Sequence, residues 1–211
     1  MVRFILFAVA LLLGAGPAAA ESRPDRVRLT ADARKGAVLI RVPVQPFEYS
    51  LQFSRNGRSG FLSRVYQMDV RAGPAGYRYI ARTLAPGRYR LDTVWQQGRW
   101  SACLEQGTIE FPVTAGRISY VGTLQAEPIL ASIQRQAVAR GRTAVAAGDI
   151  VVSRTGDTRP VVDGRNEAAV DEARRFADDV MHGTGNLLEL AELTETAFAT
   201  SAAGRAIEIC G

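Results

Sequence analysis

Asp69, Asp92 and Glu110 carry the one catalytic chemistry that the residue types of this 211-residue chain allow. That chemistry is two carboxylates flanking a bond, Asp69 with Asp92 or with Glu110, as a glycoside hydrolase uses them. All three acids alternate with apolar neighbours, which places them on the solvent side of their strands and gives no reason for two of them to converge. Cys103 is the other nucleophile candidate, and a thiolate there requires a basic or histidine neighbour. The single histidine, His182, stands beside Gly183 at the end of a helical stretch, where a cation suits the helix dipole, and reads as a capping or surface residue. No G-x-S-x-G accompanies it, and neither a phosphate-binding loop nor a dinucleotide fingerprint occurs. No catalytic, cofactor-binding or metal-binding residue is assigned, and no cofactor is expected. A hydrolase using a carboxylate pair or Cys103 stands as the alternative to a non-catalytic protein.

The N-terminus reads as a secretory signal: Arg3, then an apolar run over residues 4–13, then Ala18-Ala19-Ala20 as the cleavage site before Glu21. The other reading of the run, nearly long enough to span a bilayer, is an uncleaved anchor, against which Gly14, Gly16 and Pro17 argue. No cysteine follows it, so no lipid attachment is expected, and the location expected is periplasmic or secreted, with no membrane span after cleavage. In an oxidising compartment two cysteines without C-x-x-C spacing pair, which predicts a Cys103–Cys210 disulfide. Closing a loop of about 100 residues, it contributes at most roughly 4 to 5 kcal/mol in the chain-entropy view.

Charge divides the chain. Residues 21–125 hold 16 basic and 8 acidic side chains, and residues 126–211 hold 9 and 13. Arg78, Arg82, Arg88, Arg90 and Arg117 are candidates for an anionic-ligand face in the basic half. The competing reading is compositional, since 25 of the 26 basic residues are arginine and solvated faces are simply written in that residue. The expected partner is an envelope protein, glycan or lipid. Nucleic acid is not among the expected partners.

The elements that must position these residues are mainly strands. Phe47, Tyr49, Leu51 and Phe53 alternate with polar residues ahead of Asn56-Gly57, the pattern of a half-buried strand entering a hairpin. Further strands are predicted over residues 37–44, 61–70, 77–82, 99–105, 108–113 and 117–124, with another after the Pro86-Gly87 turn in which Tyr89, Leu91, Thr93 and Trp95 share a face. Residues 129–140 read as a helix or an edge strand, 143–147 and 149–153 as short strands, and 155–165 as a polar loop. At Asn166, a competent N-cap, the period changes to that of an amphipathic helix over 167–181 with Val170, Ala173, Phe176 and Val180 along its stripe. A second, weaker helix is predicted over 187–198 and a last strand over 206–209.

The set Leu84, Pro86, Gly87, Tyr89, Leu91, Trp100, Cys103, Phe111, Val113, Ala115, Gly116, Ile118, Tyr120, Val121 and Gly122 resembles the core of uncharacterised secreted bacterial β-sandwich proteins. More loosely it is similar to prealbumin-like and peptidase-regulatory modules. The resemblance implies a fold and an envelope location and carries no catalytic or binding residue. The fold class expected is mainly β, an antiparallel β-sandwich (Ig/prealbumin-like) with a C-terminal amphipathic α-helical segment. Its parts are a signal peptide over 1–20, a mobile leader over 21–35, the sandwich over 36–165 and a helical extension over 166–211. The expected role is a non-catalytic protein that binds or scaffolds an envelope component.

Overall fold

The structure is a computed structural model that describes residues 22–56, 65–96, 100–104, 107–139, 151–154 and 159–196. After a short 3-10 turn at Pro24–Arg26, the strands in chain order are β1 (Gly36–Val44), β2 (Tyr49–Arg55), β3 (Val65–Val70), β4 (Gly76–Leu84), β5 (Gly87–Gln96), β6 (Trp100–Cys103), β7 (Thr108–Val113) and β8 (Ile118–Gln125). Helix α1 (Glu127–Ala139) follows, then β9 (Val151–Arg154), β10 (Val161–Asp163), helix α2 (Glu167–Val180), β11 (Leu188–Leu190) and β12 (Thr194–Thr196). One sheet runs β10-β8-β1-β4 with β11 also on β8, and the other runs β12-β7-β5-β2-β3 with β6 on β5 and β9 on β6. Pairing is antiparallel except at β1–β8, β8–β11 and β6–β9.

The result is a mainly β sandwich with a helix laid on one outer face. Val38, Ile40, Leu51, Phe53, Leu91, Phe111 and Val121 fill the space between the sheets. On the far side of the first sheet Ala37, Leu39, Ile118 and Tyr120 pack against Val170, Ala173, Ala177 and Met181 of the α2 segment. Period-two alternation produces both layers at once, since odd and even residues of β1 serve different cores. Such a strand, apolar on both faces, reads in sequence as the unbroken run Ala37-Val38-Leu39-Ile40.

Several expectations are corrected. Tyr89, Leu91, Thr93 and Trp95 do not share a face: β2 pairs Phe53 with Leu91 but Gln52 with Thr93, so Asp92 is one residue too many and β5 bulges there. Beyond the bulge Val94, rather than Thr93 or Trp95, joins the inter-sheet core. Of the two readings of residues 129–140, helix or edge strand, the helix is the one found: α1 covers Glu127–Ala139, with Ile129, Leu130 and Ile133 at helical spacing and buried in that core. The polar loop expected over 155–165 contains β10, which adds Val161 and Val162 to the edge of β8. The second helix expected over 187–198 is replaced by a 3-10 turn at Gly185–Leu187 and the two strands β11 and β12. There the open edges of β8 and β7 supply backbone partners that a helix would forgo, and tertiary pairing overrides weak helical preference.

The leader expected to be mobile is packed. Val27 and Leu29 are buried in the cluster beneath α2, and Ser22 Oγ accepts a 2.8 Å hydrogen bond from the Asp69 backbone N–H at the β3 edge. Gly116 lies at φ +68, and a Cβ there would sit 2.1 Å from the Ala31 carbonyl oxygen, so the leader and the β7–β8 turn meet through a residue that has no side chain. The signal segment, residues 57–64, 143–147 and 206–209, and Cys210 lie outside the described residues.

Candidate functional site

The three acids lie on the outer face of the second sheet, and the expectation that they face solvent is overturned for two of them. Asp92 is 0% and Glu110 5% exposed. Asp92 Oδ1 accepts 3.0 Å hydrogen bonds from Ser54 Oγ and from Arg90 Nε, while Oδ2 has no hydrogen-bond partner among the described residues. Burial pushes this carboxyl above the usual carboxylate range, against the opposing pull of Arg90 and Ser54. Glu110 accepts from Asn56 Nδ2 at 2.7 Å and from Arg88 Nε, and Arg88 in turn donates to Thr194 Oγ1 at 2.7 Å on the edge strand β12. Asp69 accepts from Gln67 Nε2 at 2.6 Å.

Register keeps Asp69 and Glu110 apart. Glu110, Arg90 and Ser54 stand in one row across β7, β5 and β2, whereas Asp69 stands opposite Ser50, four residues further along β2. Four residues along a strand are about 13 Å, and the three strand spacings from β3 to β7 are about 14 Å. Asp69 and Glu110 therefore lie well beyond the roughly 5 to 9.5 Å between the two carboxyls of a glycoside hydrolase. Asp92 and Glu110 are nearer one another, but each is engaged by an arginine and a neutral donor.

The five candidate arginines do not form one face. Arg78 lines a groove at the sandwich edge, and Arg82 crosses from β4 to the Gln67 carbonyl of the opposite sheet, its guanidinium 5.7 Å over the Tyr66 ring. Arg88 and Arg90 hold Glu110 and Asp92 on the outer face of the second sheet. Arg117 pairs with Glu189 at 3.2 Å, at the opposite end of β1 from the groove. His182 is exposed at φ 64 just past α2, with Nε2 2.9 Å from the Asp25 carbonyl oxygen, so it ties the leader to the helix end. Cys103 sits on β6 opposite Thr93, and the pairing predicted with Cys210 lies outside the described residues.

A groove of about 640 Å³ opens where the leader, the first residues of β4, the last residue of β1 and α2 meet. Pro24, Pro74, Tyr77, Arg78, Tyr79 and Phe176 wall it. The Gly73-Pro74-Ala75-Gly76 turn starts β4 here, and antiparallel pairing sets Tyr77 opposite Pro43 and Tyr79 opposite Arg41. Arg41 reaches sideways: its guanidinium lies 4.6 Å from the centroid of the Tyr77 ring and 3.7 Å from Glu172 of α2. Tyr77 is half exposed, at 51%, with its conformation set by that cation–π contact. Tyr79, two residues on and on the same face of β4, is stacked on Phe176 at 4.3 Å and tilted toward Tyr120 at 6.4 Å. Burial raises both the Tyr79 and Tyr120 phenols, so both remain neutral hydroxyls at any ordinary pH.

Sequence reasoning assigned only Arg78 of this set to a site. Arg41, Tyr77, Tyr79 and Phe176 come from three elements far apart in the chain, and the only local sign was a Tyr-x-Tyr pair directly after a glycine-proline turn. A smaller groove of about 230 Å³ lies beside the paired strands β7 and β12, lined by Thr108, Ile109, Arg159, Pro160, Glu195 and Thr196, with Arg159 and Glu195 3.8 Å apart. Among the described residues no three His, Cys, Asp or Glu side chains gather as a metal site, and no helix is long and apolar enough to cross a membrane. No family model, curated protein or solved structure matches the chain.

Proposed function

We propose that this protein is a non-catalytic binding module of the cell envelope, exported with cleavage after Ala20, which holds its ligand in the groove between β4, α2 and the leader. The observation that carries this reading is the groove itself: a preformed concavity of ligand-site size with an exposed, pinned tyrosine at its mouth. Asp92 and Glu110, the acids a hydrolase needs, are absorbed in ion pairs on another face and line neither groove described above. The Cys103–Cys210 pairing belongs to the same reading, since an exported chain meets an oxidising compartment.

The test is retention of envelope material by the immobilised mature chain, residues 21–211, beside its Tyr77→Ala variant. Tyr77 is exposed, so the substitution changes stability by no more than about 0.5 kcal/mol and leaves the fold in place. A component retained by the parent and lost from the variant supports the groove as the binding site. Equal retention by both moves the site elsewhere. Cell fractionation checks the location: the expected product is in the periplasm or medium at the mass of residues 21–211, and a full-length product held in the membrane contradicts cleavage.

A further inference from the structure

We infer that the outer edge of β3 is a pairing surface for the same edge of a second copy of this chain, held shut in the single chain by two side-chain caps. β3 ends the second sheet, and β2 is its only strand partner among the described residues. In an antiparallel ladder the N–H and C=O of one residue point to the same side, so alternate residues of an edge strand turn both groups outward. Two contacts fix which residues these are. The Asp69 N–H donates to Ser22 Oγ of the leader at 2.8 Å, and the Gln67 carbonyl accepts from the Arg82 guanidinium of β4. Val65, Gln67 and Asp69 are therefore the outward residues, and Tyr66, Met68 and Val70 bond to β2.

Such a row of outward groups is a template for another strand, and side chains that occupy it close the edge. Here each cap is a single contact brought from elsewhere in the chain. Ser22 is buried and lies ahead of the anchoring side chains Val27 and Leu29. Arg82 also lies over the Tyr66 ring, and burial lowers its pKa from the ordinary arginine value, so the contact is made against the loss of water around the guanidinium. A paired strand would satisfy the same backbone groups without burying a charge.

The edge is its own complement. A two-fold axis through Gln67 sets Gln67 opposite its counterpart and Val65 opposite Asp69 in both directions, so every outward residue of β3 is paired, and each opposed pair exchanges both of its N–H···O bonds. No two acids face one another in this register. On the inner face the same axis sets Tyr66 opposite Met68, an aromatic ring against a thioether, which attract. An axis through Asp69 would instead oppose two carboxylates, which is unfavourable. A closed, self-complementary contact of this kind makes a dimer and stops there. With one short strand from each chain the interface is small, so the dimer is a weak one, populated at high protein concentration.

Light scattering of the mature chain, residues 21–211, tests the inference across a concentration series. The parent is expected at the mass of one chain. Ser22→Ala with Arg82→Met removes both caps, and the mass should double as concentration rises. Gln67→Pro, added to that variant, should return it to one chain, because proline deletes an outward N–H that β2 does not use and is tolerated on an edge strand. A double variant that stays at one chain throughout overturns the inference. So does association that Gln67→Pro leaves unchanged, which would come from another surface or from unfolding. A parent that already doubles, and loses this with Gln67→Pro, overturns the caps as the closing device. Should the double variant not fold, Ser22→Ala alone decides by amide hydrogen exchange: the Asp69 amide should exchange faster than in the parent in dilute solution and regain protection as concentration rises. Protection that does not return overturns the pairing.

Discussion

Asp92 is the residue of β5 that has no counterpart on β2, and its surroundings follow from that. An extra residue at a bulge re-aims its side chain, and here the carboxylate points at Ser54 and Arg90 in a site from which water is excluded. Desolvation outweighs the two hydrogen bonds, so the folded state holds the Asp92 proton more tightly than the unfolded chain does. Its contribution to stability is then fully present below the unfolded aspartate value of about 3.9 and is lost as pH rises through the raised folded value. Asp92→Asn, which stays neutral, should gain on the parent across that window by up to about 1.4 kcal/mol per pH unit. Urea unfolding midpoints of both proteins from acid to neutral pH measure the difference. A constant gap between the two curves would mean that Arg90 compensates the carboxylate fully.

Helix α2 is legible as an element and its partner is not. Asn166 caps it, its side chain accepting from Ala169 N at 3.0 Å, and Val170, Ala173 and Ala177 are buried as the stripe requires. Phe176 is only partly buried, because it forms the wall of an open groove and stacks on Tyr79 instead of inserting into the core. Phe176→Ala should therefore cost about 2 kcal/mol, below the roughly 3 to 5 kcal/mol of a fully buried phenylalanine. Chemical denaturation measures it, and a value in the higher range would mean that α2 closes further over the sheet. The segment after α2 shows the opposite balance. Leu187, Leu188 and Ala191 are buried, and Ala191 N donates to the Tyr120 carbonyl at 2.8 Å, so weak helical spacing yields to the free edge of β8.

At the scale of the whole molecule the leader is structural. Polar residues flank Val27 and Leu29, which hides two buried side chains in what reads as a tail. A chain starting at residue 31 loses both, at about 1.5 to 3 kcal/mol each, and should unfold at a distinctly lower urea concentration than one starting at residue 21. Equal midpoints would show the leader to be a passenger. The same segment supplies Pro24 to the groove and Ser22 to the β3 edge, so the shorter chain also loses part of the ligand wall. By itself the sequence determined the fold class: Phe47 to Phe53 alternating before a turn, paired turn and strand signals through Gly122, and the cap and stripe of residues 166–181 are local patterns with local causes. The bulge at Asp92 is a mismatch between β5 and β2 and is invisible in either alone. The burial of Asp92 and Glu110, the strands β10 to β12 and the docking of the leader depend on which sheet edges and faces stand open once the sandwich has formed. Only the tertiary structure decided the groove, because Pro24, Arg41, Tyr77, Tyr79 and Phe176 have no spacing in common and meet through strand register and helix docking.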